Sequence, residues 1–168
     1  MIFVFNLCAT LACAGIHLVR TPAALRTRQR VVRVLLLYFL CVQWGFGAIL
    51  TALPHIITPD IVAGYIGWTP GSPFQLEMGF ASLGLGVLGV LCIWFRGTFW
   101  LAPAIGRSIF LYGAAWVHLR DIATHGNLSP GNAGVPLVFD VLIPTIVLGL
   151  LIAHVRLGGL QHTPRHPA

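Results

Sequence analysis

Lysine is absent from this chain of 168 residues, and only four positions are acidic. Charged residues amount to 8% of the chain. A soluble domain carries roughly 25%, so there is too little charge here to coat a water-facing surface. Cysteine is scarce as well. Cys8, Cys13, Cys41 and Cys92 all fall inside apolar runs, without CxxC or Cys/His metal spacing. They are expected to pack as small hydrophobes, unpaired. No basic stretch precedes the apolar run from Ile2, so a cleaved secretory signal fits poorly. Thr10-Leu11-Ala12-Cys13 only loosely approaches a lipoprotein cleavage site, and the first segment is expected to stay in the mature protein. Phosphate-binding loops, nucleophile elbows and paired-carboxylate hydrolase patterns are missing. Gly84-x-Gly86-x-x-Gly89 matches a dinucleotide fingerprint by letter, but it lies in an apolar span with no strand before it.

What remains is 57% hydrophobic, with mean hydropathy +0.88. Five apolar segments, at about 2–19, 34–56, 75–95, 98–120 and 135–156, each approach the ~20 residues that cross a ~30 Å hydrocarbon core. The ten arginines mostly flank these segments, a pattern of membrane topology rather than of nucleic-acid binding. With alternating crossings, Arg20, Arg26, Arg28, Arg30, Arg33, Arg96, Arg156 and Arg165 collect on one side and Arg120 on the other. The positive-inside rule makes the rich side cytoplasmic. The expected fold is therefore an all-α integral membrane bundle of about five transmembrane helices. Its N-terminus faces outside and its C-terminus the cytoplasm. It would sit as a multi-pass protein in the cell inner (plasma) membrane, with one domain over 1–157 and a loose cytoplasmic tail over 158–168.

Local signals refine this frame. Ser72-Pro73-Phe74-Gln75 reads as a capping box opening the third long helix. Thr58-Pro59-Asp60 introduces a short amphipathic stretch over 60–66, expected at the outer interface ahead of Trp68. Gly126 is expected to end the fourth long helix, with 127–134 an ordered turn region. Small residues at Ser82, Gly84, Gly86 and Gly89, and at Ala102, Gly106 and Gly113, allow close helix approach within or between chains. Gln43-Trp44 in mid-membrane suits helix–helix contact, and Trp94, Phe95, Phe99 and Trp100 around Arg96 suit an interface belt.

Three of the four acids mark where polar chemistry would sit. Glu77, Asp121 and Asp140 lie near outer helix ends, with His118 one turn before Asp121. His55 and Gln75 share that side. Asp140 is the costly member, because Pro144 four residues on removes the helical donor for its carbonyl. Three readings stay open. The four side chains could surround a metal, as facing helices do in bundle cores. They could bind a small polar ligand or relay protons. Arg120, His118 and capping amides could instead satisfy the acids and lock the helix ends together. Arg107, seven residues after Trp100, could snorkel to the cytoplasmic interface. It could also bind an anion or headgroup, and eleven steps of 100° bring it to nearly the face of His118. His17 and His154, near the inner ends, suit interfacial residues better than haem ligands.

The string Tyr65-Ile66-Gly67-Trp68-Thr69-Pro70-Gly71-Ser72-Pro73-Phe74-Gln75-Leu76-Glu77 resembles a family of small polytopic bacterial and archaeal membrane proteins of unassigned function. His118-Leu119-Arg120-Asp121-Ile122, Gly131-Asn132-Ala133-Gly134 and Asp140-Val141-Leu142-Ile143-Pro144 extend the resemblance, over about 40–152. It implies a compact helical membrane domain and directs attention to Glu77, His118, Asp121 and Asp140, without supplying an activity or a cofactor. The expected function is that of an accessory or scaffold subunit of a larger membrane assembly. Its partners would be the bilayer and other membrane subunits or a second copy, and not nucleic acid. The alternative is an outward-facing ligand-, metal- or proton-binding protein with a redox or transport role.

Overall fold

Long apolar runs without lysine and with few acids leave the backbone one solution in hydrocarbon, which is to satisfy its own hydrogen bonds as helix. The computed structural model, which describes residues 2–160, is helical throughout, with no strand among the described residues. The helices are α1 (Ile2–Arg20), α2 (Arg28–Ile57), α3 (Pro59–Ile66), α4 (Phe74–Leu91), α5 (Leu101–His125), α6 (Pro130–Ala133) and α7 (Val135–Arg156). The chain is a helical protein with four segments long and apolar enough to cross a membrane, namely α1, α2, α4 and α6–α7. At 25 residues α5 is also long enough, but Pro103, Arg107, Ser108 and His118 dilute its apolar character below that of the others. The loose tail expected over 158–168 falls mostly on residues 161–168, outside the described residues.

The helix ends follow their local chemistry. Gly126 closes α5 with φ 66°, the left-handed turn that glycine enters without a Cβ penalty. Thr27 caps α2 by accepting from the Arg30 amide. The capping box expected at Ser72 forms only by half. Ser72 Oγ accepts from the Phe74 amide at 3.2 Å, but Gln75 does not reach back. Instead it is buried and bonded to His55 Nδ1 at 2.8 Å, tying the start of α4 to the end of α2. Asp60 lies in the first turn of α3, where Oδ1 accepts from the Gly71 amide at 2.7 Å. Trp100 leaves the expected interface belt. It is buried, and its Nε1 donates to the carbonyls of Cys92 and Phe95 that end α4. Trp94 and Phe95 remain exposed.

Helix α2 is the hub. Sixty-one per cent of its apolar window is buried against 17% for α1, which makes α2 the helix the others wrap. Gly79, Ser82, Gly86 and Gly89 form the buried face of α4 toward α2. A Cβ on Gly89 would stand 2.7 Å from the Leu40 carbonyl oxygen and 2.8 Å from Gly45 Cα, so the two backbones touch only because both positions are glycine. The close contact foreseen for this face is thus made within one chain. On α5 the small residues behave differently, since Gly106 and Gly113 have open space where a Cβ would stand. Between α2, α5 and α7 the core is filled by Leu36, Leu40, Trp44, Ala104, Phe139, Ile143 and Val147.

In its middle α2 widens into a π-helical stretch, Phe39–Phe46. Such widening displaces carbonyls from regular bonding. Asn6, buried on α1, donates to the Gln43 carbonyl at 3.0 Å and the Val42 carbonyl at 3.4 Å. Four residues on, Thr10 bonds the Asn6 carbonyl and lies 3.4 Å from Gln43 Oε1. The contact expected of Gln43 is therefore with α1.

Candidate functional site

The α5–α6 connection is built by two asparagines. Asn127 donates through one nitrogen to the Ile66 carbonyl at 2.9 Å and to Asp121 Oδ2 at 2.7 Å, while its oxygen accepts from the Ser129 amide. Asn132, fully enclosed on α6, donates to the Asn127 carbonyl at 2.8 Å and toward the His118 carbonyl at 3.5 Å. Both amide hydrogens are then committed to carbonyls, so its oxygen is the atom facing His118 Nδ1 at 2.6 Å. That arrangement assigns the proton of neutral His118 to Nδ1 and leaves the lone pair on Nε2.

Asp121 projects just past the apolar part of α5 and is spent on structure. Its Oδ2 accepts from Trp68 Nε1 at 2.9 Å and from Asn127, and its Oδ1 faces His125 Nδ1 at 2.8 Å. The hydrogen bond from Asn127, then that from Trp68, hold the carboxyl below the usual carboxylate value despite opposing desolvation. Trp68 in turn lies over the His118 ring, with centroids 5.7 Å apart and planes 21° from parallel. The indole thus roofs His118 while its N–H pins Asp121.

Beneath this roof Asp140, on the second turn of α7, places Oδ2 4.0 Å from His118 Nε2. Both side chains are nearly enclosed, at 11% and 13% exposure. Asp140 also lines a cavity of about 40 Å³ with Asn6, Gln43, Trp44, Thr51 and Arg107. Arg107 does not snorkel. It is 7% exposed, and neither Nε nor Nη1 has a hydrogen-bond partner. The rim includes Ile2 and Phe3 at the start of α1 and Thr51 late in α2, so the guanidinium faces those helix ends and not the arginine-rich connection between α1 and α2.

The structure accordingly divides the sequence-selected residues. His118, Asp140 and Arg107 share the interior seam between α5 and α7. Asp121 borders it as a clamp. His55 and Gln75 pair with each other away from this seam. Glu77 is exposed on α4 and takes part in neither ion pair. Among the described residues no three His, Cys, Asp or Glu side chains converge as a metal ion would require. Asn6, Thr10, Asn127 and Asn132 were not among the selected residues, although the first two had a signal. Asn6 and Thr10 are polar at i, i+4 spacing in an otherwise apolar run, the spacing that puts two side chains on one buried face. The two asparagines looked like ordinary turn residues.

The chain belongs to the family described as Family of unknown function (DUF6790), whose match covers residues 1–159. The match takes in α1 and the basic first connection, beyond the stretch over which the sequence resemblance was traced. No curated protein and no solved structure matches the chain.

Proposed function

We propose that this family member is a multi-pass protein of the cell inner membrane, with five crossings and an outside N-terminus, whose His118–Asp140 pair binds a proton from the outer face as part of a transport or redox role. The fifth crossing is α5. At 1.5 Å per residue the stretch from Leu101 to Arg120 spans about 30 Å, and Asp121 stands beyond it. Its one mid-helix charge, Arg107, turns inward, leaving Ile105, Ile109, Trp116 and Val117 on the exposed side.

The observation that carries the proton-binding reading is the facing of His118 Nε2 and Asp140 Oδ2 at 4.0 Å. Asn132 commits Nδ1 as the donor, so in the neutral ring two acceptors confront each other in a nearly dry place. A proton resolves that confrontation by making either an imidazolium–carboxylate pair or a carboxylic acid facing the imine nitrogen. A metal is less well matched, because Asp121 has already given both oxygens to Trp68, Asn127 and His125.

Histidine ¹⁵N resonances of the detergent-solubilised protein, followed from about pH 4 to pH 9, test this across the ordinary titration range of imidazole. Neutral His118 should carry its proton on Nδ1, and its titration should move when Asp140→Asn removes the carboxylate. A proton found on Nε2 in the neutral ring, or a titration indifferent to Asp140→Asn, sinks the reading.

A second reading, a subunit of a larger membrane assembly or a homo-oligomer, is supported by α5. Ala102, Gly106 and Gly113 share one exposed face, with nothing within 4 Å of a Cβ added to either glycine. Such a face admits another helix closely. Native mass measurement in mild detergent would show the added mass, and a purely monomeric species would exclude a stable assembly.

A further inference from the structure

Arginine keeps its charge at any pH a protein meets, so a guanidinium enclosed in a membrane protein needs an anionic partner. Arg107 has no such partner at bonding distance. Neither Nε nor Nη1 is hydrogen-bonded, and no carboxylate among the described residues comes within ion-pair distance. Asp140 lines the same cavity, but its closest charged or chargeable neighbour is His118 at 4.0 Å. Trp44 Nε1, on the same wall, is a second buried donor without an acceptor. From α1 and α2 the wall receives Asn6, Gln43 and Thr51, which are polar and uncharged. The cavity therefore holds one fixed cation with unbonded nitrogens, neutral polar groups and a single carboxylate, Asp140, shared between Arg107 and His118.

We propose that this cavity binds a small monovalent anion against Arg107. Its volume of about 40 Å³ sets the size. Open to the centre of a water-sized sphere over that volume, the space admits a halide or a small oxyanion such as nitrate. The anion takes the guanidinium nitrogens that no hydrogen bond occupies, and Trp44 Nε1 is a further idle donor on that wall. Asp140 stands across the cavity as the competing negative charge, so a protonated or amide side chain at that position favours the anion. The assignment rests on Arg107 and extends the proton-binding reading through Asp140, which the two sites share.

Equilibrium dialysis of the full-length protein in detergent against sodium bromide, with bound bromide measured by ion chromatography, tests it. One bromide per chain is expected. Arg107→Gln should weaken binding at least tenfold, and Asp140→Asn should tighten it several-fold. Arg107→Lys keeps the charge without the planar fork and should retain part of the affinity, which guards against reading a misfolded Arg107→Gln as a lost site. Bromide well below one per chain in the unaltered protein overturns the proposal, as does equal binding by a helical, monodisperse Arg107→Gln. The ¹⁵N titration of His118 separates the two readings. If bromide fails to bind while His118 still responds to Asp140→Asn, the anion site falls alone. If bromide binds but His118 does not respond, the proton-binding pair falls alone.

Discussion

Asn132 shows how much one side chain can decide at the residue scale. It is wholly enclosed, accepts a hydrogen bond from His118 Nδ1 and donates to two carbonyls. Asn132→Leu keeps the volume but strands the Asn127 carbonyl and the imidazole N–H. An unsatisfied buried group costs about 1–3 kcal/mol, and a loss of about 2 kcal/mol is expected in reversible SDS unfolding. Asp121 gives a pH signature instead. Its carboxyl is held below its ordinary value by Asn127 and then Trp68, so its folded-state value is the lower of the two. The clamp's contribution is complete above the unfolded value and disappears as pH falls through the folded one. The Trp68 indole N–H resonance should therefore be unchanged at about pH 5 and shift only in stronger acid, below the ordinary carboxylate range. Asp121→Asn should abolish that acid step. An unaltered step in the variant would assign it to another group.

At the element scale, α2 and α4 approach to backbone contact, and glycine is what permits it. Gly89→Ala would put a methyl 2.7 Å from the Leu40 carbonyl oxygen, with backbone and no flexible side chain to yield. Overpacking of this kind costs about 1–3 kcal/mol. Gly84→Ala, on the same helix but facing open space, should be neutral or slightly stabilising. SDS unfolding of the two variants checks the contrast, and equal effects would mean that the helices do not meet as closely as described. The glycines were legible in the sequence, and so was the likelihood of a close approach that such spacing carries. Their partner was not, because a face of small residues says how near another helix can come and not which helix comes. The π-helical stretch of α2 had no composition signal either. Its stabilising hydrogen bonds come from Asn6 on α1, more than thirty residues away in sequence.

For the whole molecule, the decisive property is which loops face which side. In a background with the four native cysteines replaced, Ser72→Cys and Leu128→Cys should react with a membrane-impermeant maleimide from outside intact cells, and Thr98→Cys only after lysis. All three positions are exposed, so accessibility reports topology rather than burial. Labelling of Thr98→Cys alone from outside would invert the orientation. Labelling of Ser72→Cys without Leu128→Cys would mean that α5 does not cross.

The sequence by itself determined the helical class, the positions of the long apolar segments and the scarcity that makes each remaining charge costly, since these follow from composition and from the backbone's need to bond itself in hydrocarbon. It also singled out His118, Asp121, Asp140 and Arg107. Only the tertiary structure decided how those residues divide. Asp121 joins Trp68 and Asn127, Glu77 stays outside, and Asp140 turns to His118 while Arg107 is left without a partner. The reason is physical. Periodicity along a helix fixes which way a side chain faces, but a hydrogen bond or an ion pair depends on what a different helix brings to the same depth.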